Sequence, residues 1–264
     1  MENIKEKNLG YLKHRILSYY NEAEHILKGE MALPRMAIFH PTYVCNHHCT
    51  GCDFRHQNSK ISRVMSEKDS NNILDKLIKI GIQSVEFSGG GEPLLAPNAV
   101  QMIKKLKNKE VAVGLLTNGS KLKEEILDAV IKNCTYVRVS LESGSNEIFK
   151  KVKNVEDDSE FDNIVNNIKN ALKLRKKLDN KIDISIKFSV GKDNYMDMEN
   201  AINLAIELGV DSIQFKLYQN IDSIEIDSPK QVADKLNELK ETYGNKILII
   251  GNLIKSEIGH KCWL

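Results

Sequence analysis

The chain has 264 residues, of which 41% are hydrophobic, and this is enough for one α/β domain with a large buried core. Its 38 basic and 36 acidic residues give a formal net charge of +2, so it lacks the strongly basic balance that nucleic-acid binding uses. No stretch reaches the roughly 20 apolar residues of a membrane span, and the first residues have no apolar core of signal-peptide type. We therefore predict a cytoplasmic protein that binds neither nucleic acid nor membrane.

The predicted elements begin with an amphipathic helix from about Lys5 to Lys28, followed by Gly29 as a stop signal. The predicted strands are 36–44, 84–89, 111–118, 136–143, 182–190, 211–219 and 246–252. The predicted helices between them are 67–81, 98–109, 123–133, 161–178, 198–209 and 229–244. Repeated alternation of strand and helix predicts an α/β fold with a parallel sheet. We assign 1–35 to an N-terminal helical segment and 36–264 to one βα domain with a C-terminal tail.

Several predicted strands alternate apolar and polar residues, although parallel strands covered on both faces are usually apolar throughout. The apolar face must meet the helices, so the polar face points inward. This arrangement suits a wide or incomplete barrel with a polar, ligand-holding interior. Inward charges such as Arg138, Glu142 and Lys187 then need partners, because an unpaired buried charge is costly. Those partners are either one another, in internal salt bridges, or a charged ligand.

The segment CNHHCTGC, from Cys45 to Cys52, holds three of the five cysteines directly after the first predicted strand. In a βα barrel this is the rim where active sites are built. One candidate is a four-iron cluster, in which three thiolates hold three irons and leave the fourth open. The other is a structural zinc with His47 or His48 as fourth ligand. The spacing favours the cluster. Cys134, just before a strand, is interpreted as a buried core residue.

A run of glycines, Gly89, Gly90 and Gly91, ends the second predicted strand and precedes Glu92. Glycines let backbone approach a ligand closely, and the bare carbonyls at a strand end suit an ammonium group. Glu92 would add negative charge there. A tight turn with no ligand is the alternative.

CNHHCTGC resembles the Cys-x-x-x-Cys-x-x-Cys signature of the radical S-adenosylmethionine (radical SAM) superfamily. Further segments resemble the family in order and placement, over residues 36 to 218: SGGGEP (88–93), LLTNG (115–119), VRVSLESGSNEIFKKV (137–152), KFSVGKDN (187–194) and IQFKLY (213–218). Several ordered matches are more specific than any one of them.

The resemblance implies a TIM-like partial (β/α)6 barrel that holds a [4Fe-4S] cluster through Cys45, Cys49 and Cys52. S-adenosylmethionine (SAM) would chelate the open iron, and one-electron reduction would cleave it to methionine and a 5′-deoxyadenosyl radical. That radical would abstract hydrogen from a peptide or small-molecule substrate, with a donor such as flavodoxin or ferredoxin supplying the electron. A noncatalytic zinc-stabilised binding module and a degenerate partner protein are the alternatives.

Other inward or strand-end residues are candidates for binding SAM. Ser140 and Glu142 offer oxygen acceptors for ribose hydroxyls or the ammonium group of SAM. Lys187 is placed to pair with a carboxylate of SAM or substrate. Asn118 either faces the same interior or belongs to an ordinary Asn-Gly turn.

One position departs from the family pattern. The family commonly has an aromatic residue just before its third cysteine, near the adenine, and this chain has Gly51 there. Phe54 is a candidate substitute, and adenine held by backbone alone is the alternative. Lys216 and Tyr218, near the end of the sixth strand, are candidates for substrate contact.

The chain closes with GHKCWL, which contains Cys262. In relatives with a cysteine-rich C-terminal auxiliary-cluster extension (SPASM or twitch), a similar cysteine opens that extension. The further cysteines are missing from this sequence. A truncated chain, a naturally short relative and an incidental tail thiol are the three interpretations.

Overall fold

A computed structural model describes residues 20–52, 54, 63–218, 229–251 and 253. The first part of the predicted N-terminal helix and the tail with Cys262 lie outside the described residues. The α-helices are α1 (Tyr20–Leu27), α2 (Glu67–Lys79), α3 (Ala99–Asn108), α4 (Glu124–Asn133), α5 (Asn146–Lys153), α6 (Glu160–Lys177), α7 (Met198–Leu208) and α8 (Pro229–Tyr243). The strands are β1 (Met36–Phe39), β2 (Ser84–Phe87), β3 (Ala112–Thr117), β4 (Tyr136–Ser140), β5 (Asp183–Val190), β6 (Ser212–Leu217) and β7 (Leu248–Ile250).

The seven strands form one parallel sheet in which each strand lies beside the next in chain order. Phe39 pairs with Phe87, and Ser140 pairs with Lys187, so the carboxyl ends of the strands meet at one edge. The α/β prediction is confirmed. The resemblance implied six strands, whereas the described residues contain seven because β7 pairs with β6 beyond the six-strand repeat.

The apolar face of the sheet forms the core with the helices that cover it. Residues of this face with no exposed surface include Val85, Val113, Val137, Val139, Ile184, Phe188, Ile213 and Phe215. The alternate residues point to the other face, as the sequence predicted. There, Arg138 donates from Nη1 to Gln214 Oε1 at 3.0 Å and from Nε to Ser185 Oγ at 3.3 Å. Neutral acceptors on two neighbouring strands therefore satisfy this inward guanidinium.

The predicted first strand, 36–44, was too long. β1 ends at Phe39, and Pro41, which follows His40, has no N–H to donate to a sheet. Thr42 instead forms an isolated antiparallel bridge with Val64. The chain thus leaves the sheet five residues before the first cysteine, which leaves the cysteine segment free to form a loop at the rim.

Two of the helix termini show why the sequence breaks where it does. The Ser66 side chain accepts a hydrogen bond from Asp69 N at 3.0 Å and caps the start of α2. Gly209 ends α7 in the left-handed conformation, with φ of 76°. None of the helices in the described ranges combines the length and the apolar character that crossing a membrane requires.

Candidate active site

A cavity of about 300 Å³ opens at the carboxyl ends of the strands. The residues predicted from sequence that line it are Cys45, Cys49, Cys52, Phe54, Gly89, Gly91, Glu92, Asn118, Ser140, Glu142, Lys187, Lys216 and Tyr218. Gly90 is the one predicted site residue outside this lining. Side chains separated by more than 170 residues in sequence thus share one pocket, because parallel strands deliver their ends to the same edge.

The cysteine loop (Cys45–Cys52) is hydrogen-bonded to the C-terminal end of helix α5. His48 N donates to Lys153 O at 3.1 Å, and Thr50 N donates to Val152 O at 3.0 Å. The last carbonyls of a helix have no partner within the helix, so they are available to hold this loop. The three cysteines form no disulfide within the described part of the chain, and each is half-buried. The loop therefore presents three thiols to the cavity from a fixed backbone.

Burial changes the chemistry of these thiols. It raises the pKa of Cys49 to about 12, and burial is also the main cause that raises the pKa of Cys45. A buried thiol is hard to ionise without a compensating cation, and metal coordination is what removes its proton. The environment of Cys49 therefore suits a metal-bound thiolate better than a free nucleophile.

His47, a candidate fourth zinc ligand, has one of its two imidazole nitrogens bound to Glu160, and its Nδ1 has no hydrogen-bond partner in the described ranges. Its side chain is buried, and Nε2 lies 2.9 Å from Glu160 Oε1. Burial lowers the pKa of His47 to about 3, with Lys153 as a second cause, so the neutral ring donates from Nε2 to the carboxylate. Among the described residues, no three His, Cys, Asp or Glu side chains are arranged as ligands of one metal ion. Three thiolates that each bind a different iron do not need to converge on one point.

The glycine run packs against the cysteine loop. Gly91 N donates to Thr42 O at 2.9 Å, and a Cβ on Gly91 would lie 2.1 Å from Val44 O. A Cβ on Gly90 would lie 2.5 Å from the ring of Tyr43. Both glycines are therefore required by the chain that leads into Cys45, which the sequence analysis did not anticipate. Whether their carbonyls also receive a ligand ammonium stays a prediction.

Glu92 uses its carboxylate to join the ends of two strands. It accepts hydrogen bonds from Thr117 Oγ1 at 2.6 Å, Asn118 N at 2.7 Å and Leu94 N at 3.1 Å. Burial raises the pKa of Glu92 even though these hydrogen bonds oppose the shift. Asn118 continues the connection, because its Nδ2 donates to Asn46 Oδ1 at 2.9 Å in the cysteine loop. Both predicted residues therefore hold the rim together.

The buried end of the cavity contains a charge pair that sequence reasoning missed. Lys153, from the last turn of α5, lies 3.2 Å from Glu142 Oε2 and donates to Ser140 O at 2.6 Å. Tyr218 Oη also donates to Glu142 Oε2, at 3.2 Å. The available signal was helical spacing: Phe149 and Val152 are buried, and Lys153 lies four residues after Phe149 on the same face.

The backbone at Glu142 is unusual for a residue with a side chain. Its φ is 64°, in the left-handed region. Asn194 secures this conformation, because its Nδ2 donates to Glu142 O and to Ser189 O, both at 2.9 Å, while its Oδ1 accepts from Gly191 N at 2.8 Å. Asn194 therefore ties the end of β4 to the end of β5, and it is a second residue that the sequence analysis left without a role.

Two lysines complete the polar lining. Lys187 on β5 and Lys216 on β6 both face the cavity. Within the part of the chain that the structure describes, neither ammonium forms an ion pair or a hydrogen bond. Glu142, the acidic neighbour of Lys187, is already paired with Lys153. The two ammonium groups are therefore available to bind an anionic group of a ligand in the cavity.

A model of the family described as the Radical SAM superfamily matches residues 39–186, more than half of the 264-residue chain. A probable GTP 3′,8-cyclase from Sulfurisphaera tokodaii is 29% identical over 235 residues, which cover 81% of this chain and 69% of that protein. The crystal structure of Streptococcus suis SuiB bound to precursor peptide SuiA superposes with a TM-score of 0.70 at 15% identity, over 86% of this chain and 51% of that one. Native anSMEcpe with bound AdoMet (SAM) gives a TM-score of 0.63 at 19% identity, over 81% of this chain and 63% of that one.

The two solved structures share their fold with this chain, although only 15% and 19% of the aligned residues are identical. This chain spans about half the length of SuiB and 69% of the S. tokodaii protein.

Proposed function

The chain belongs to the radical SAM superfamily, and we propose that it is an enzyme that cleaves SAM reductively and abstracts a hydrogen atom from a peptide or small-molecule substrate. The family uses a [4Fe-4S] cluster and SAM. The observation that carries the proposal is that three cysteine thiols and a buried lysine–glutamate pair line one cavity at the carboxyl ends of the strands.

The residues fit these groups. Cys45, Cys49 and Cys52 would hold three irons, and the backbone N–H groups of their loop are anchored on α5. When bound, the cluster supplies the electron that splits the sulfonium of SAM and generates the hydrogen-abstracting radical. The protein excludes water from the inner end of this cavity, since Glu142 is 6% exposed and Lys153 is 2% exposed. Such burial strengthens each polar contact with a bound ligand.

The polar residues at the strand ends would orient SAM. Ser140 and Glu142 present oxygen acceptors to ribose hydroxyls or to the ammonium group, and Lys187 pairs with a carboxylate of SAM or substrate. Lys153 adds a buried cation beside Glu142. Gly89, Gly90, Gly91, Glu92 and Asn118 shape the opposite wall by fixing the cysteine loop against β2 and β3.

Lys216, together with Lys187, favours a substrate that carries a carboxylate or phosphate, because neither ammonium forms an ion pair or a hydrogen bond with another described residue. Both a nucleotide and an acidic peptide meet this requirement. The names of the relatives point to both classes, GTP 3′,8-cyclase on one side and a SuiB bound to precursor peptide on the other.

The cellular setting follows from the same chemistry. A reducing cytoplasm keeps clustered thiols available for metal binding. A reduced flavodoxin or ferredoxin supplies the electron. The proposed division of the chain remains the one predicted from sequence, with an N-terminal segment 1–35 and a domain 36–264.

The test is anaerobic reconstitution of the full chain with iron and sulfide, followed by dithionite and SAM. The expected result is a brown protein that produces 5′-deoxyadenosine and methionine. Iron uptake without SAM cleavage would instead support a degenerate partner protein. Retention of one zinc per chain, with no iron uptake, would support the zinc-stabilised binding module.

A second measurement addresses the substrate class. The rate of SAM cleavage is compared in the presence of GTP and guanosine, and in the presence of a glutamate-containing peptide and its glutamine counterpart. Stimulation by the anionic member of either pair supports the proposed class. Equal stimulation by the uncharged member contradicts it.

A further inference from the structure

The ring of Tyr218 lies directly over Gly51 of the cysteine loop. A Cβ built on Gly51 would lie 2.3 Å, 2.4 Å and 2.5 Å from three neighbouring ring carbons of Tyr218, Cε1, Cδ1 and Cζ. Nearly equal distances to three adjacent ring atoms place that Cβ above the face of the ring. No side chain larger than hydrogen fits at position 51 unless the ring moves.

Tyr218 is held in this place from both ends. Its backbone N donates to Val190 O at 3.2 Å, at the end of β5, and its hydroxyl donates to Glu142. The side chain is 8% exposed and lines the same cavity as the three cysteines. The cavity wall beside the third cysteine is therefore an aromatic ring that comes from the end of β6.

Phe54, the other aromatic residue in the lining, is packed in a different direction. Its ring makes edge contacts with His40 and Tyr43, with centroids 5.6 Å and 6.3 Å away. These partners belong to the chain that follows β1. Phe54 thus packs against the segment between β1 and the cysteine loop, whereas Tyr218 is hydrogen-bonded to the buried Glu142.

We propose that the ring of Tyr218 is the aromatic surface against which the nucleobase of SAM packs, and that Gly51 is the residue that makes room for this ring. The inference rests on the proposed function, because it requires that SAM binds in this cavity. An aromatic face suits a purine, since planar π-systems stack and exclude water from both surfaces. Position 51 of the cysteine loop and position 218 at the end of β6 are therefore coupled: only one of them can carry an aromatic ring, because both rings would occupy the same space.

The experiment measures binding of S-adenosylhomocysteine, which contains the nucleoside but no sulfonium, to the reconstituted full chain by calorimetry. Tyr218→Leu is expected to weaken binding about tenfold, or ~1.4 kcal/mol, because it removes the stacking face. Tyr218→Phe keeps the ring and is expected to stay within about threefold of the wild type, since it loses one hydrogen bond. The adenine H2 and H8 resonances should show the ring-current shift of a stacked base with Tyr218→Phe and lose it with Tyr218→Leu.

Relocation of the ring tests the coupling. Gly51→Phe alone should weaken binding because two rings compete for one space. The double variant Gly51→Phe/Tyr218→Ala should bind more tightly than Tyr218→Ala alone, because the aromatic face returns from the loop. Equal binding by these two variants would overturn the coupling.

Two outcomes would overturn the assignment of Tyr218 itself: wild-type affinity in Tyr218→Leu, or a larger loss in Phe54→Leu than in Tyr218→Leu. A wild-type protein that takes up iron and binds no S-adenosylhomocysteine would contradict the proposed function as well. Failure of the Tyr218 assignment is therefore distinguishable from failure of the proposed function, because only the former is seen with a wild-type protein that binds S-adenosylhomocysteine.

Discussion

The ammonium nitrogen of Lys153 lies 3.2 Å from Oε2 of Glu142, and the two side chains are only 2% and 8% exposed. Burial alone would raise the pKa of Glu142, but Lys153 and Lys187 outweigh burial and hold that pKa below its ordinary value. Burial likewise opposes the ammonium, yet Cys49 and Glu142 keep the pKa of Lys153 raised. Each side chain therefore stabilises the charge of the other in a place where neither is well hydrated.

Removal of one member of this pair is expected to be costly. Lys153→Met should lower the free energy of unfolding by about 3–5 kcal/mol, because it leaves Glu142 buried without its cation. The double variant Lys153→Met/Glu142→Gln should be more stable than the single variant. Urea denaturation of the metal-free chain gives both values from the midpoint and slope.

The exposed pair Lys132–Asp128, with side chains 51% and 49% exposed, supplies the control. Lys132→Met should change the stability by less than about 1 kcal/mol, since water and salt screen a surface pair. A Lys153→Met variant as stable as Lys132→Met would contradict the structural role of the buried pair.

The glycine run gives a prediction about cluster assembly. Gly91→Ala places a methyl group 2.1 Å from Val44 O, so the backbone that leads into Cys45 must move. Iron bound after reconstitution is expected to fall below half of the wild-type content. Gly209→Ala is the matched control, because a Cβ there meets no atom within 4 Å and only the φ of 76° is unfavourable. That control should lose about 1–2 kcal/mol of stability and keep its iron. Equal iron in both variants would show that the loop tolerates displacement.

The sequence predicted the sheet well because its signals are local. Alternation along β4 and β5 indicated which face meets the helices, and the position of the cysteines directly after the first strand predicted a site at the rim. The first strand was predicted to extend to residue 44 because MAIFHPTYV is rich in residues that favour strands. The structure ends it at Phe39, the last residue that pairs with β2. Proline at position 41 was the available warning.

The contacts within the site were harder to predict because they join residues that are distant in sequence. The sequence did not indicate that the Glu92 carboxylate accepts hydrogen bonds from Thr117 and Asn118 at the end of the next strand, beside the ligand role predicted for it. Lys153 belongs to no sequence motif, and its contact with Glu142 depends on how α5 packs against the sheet. Tyr218 was a candidate on orientation alone, and only its position over Gly51 relates it to the missing aromatic residue of the loop.

The three loop thiols should differ from the fourth described cysteine in their effect on metal binding. Cys45→Ala, Cys49→Ala and Cys52→Ala are each expected to lose most of the visible absorption, from a wild-type content of about four irons per chain. Cys134 lies in the core, 7% exposed, at the end of α4. Cys134→Ala should therefore keep its iron and lose about 1 kcal/mol of stability through the small cavity it creates. Full iron content in Cys49→Ala would contradict the ligand assignment.

Asn194 should act on stability and on ligand binding together. Asn194→Ala leaves Glu142 O, Ser189 O and Gly191 N without their side-chain partner in a region where Asn194 is 1% exposed. We expect a loss of at least about 2 kcal/mol in urea denaturation, since each unsatisfied buried polar group is costly. Asn194→Asp should not rescue this loss, because its second oxygen faces two carbonyl oxygens where the amide donated.

The same variants distinguish a positioning role from simple destabilisation. Asn194 secures the φ of 64° at Glu142, so relaxation there would move the carboxylate that accepts from Lys153 and Tyr218. The affinity for S-adenosylhomocysteine should therefore fall about tenfold at temperatures where the variant is still folded. The exposed Asn163, whose Nδ2 donates to Ser159 Oγ, provides the comparison. Asn163→Ala should leave both quantities near wild type, and an Asn194→Ala protein that is less stable but binds with wild-type affinity would limit Asn194 to holding β4 and β5 together.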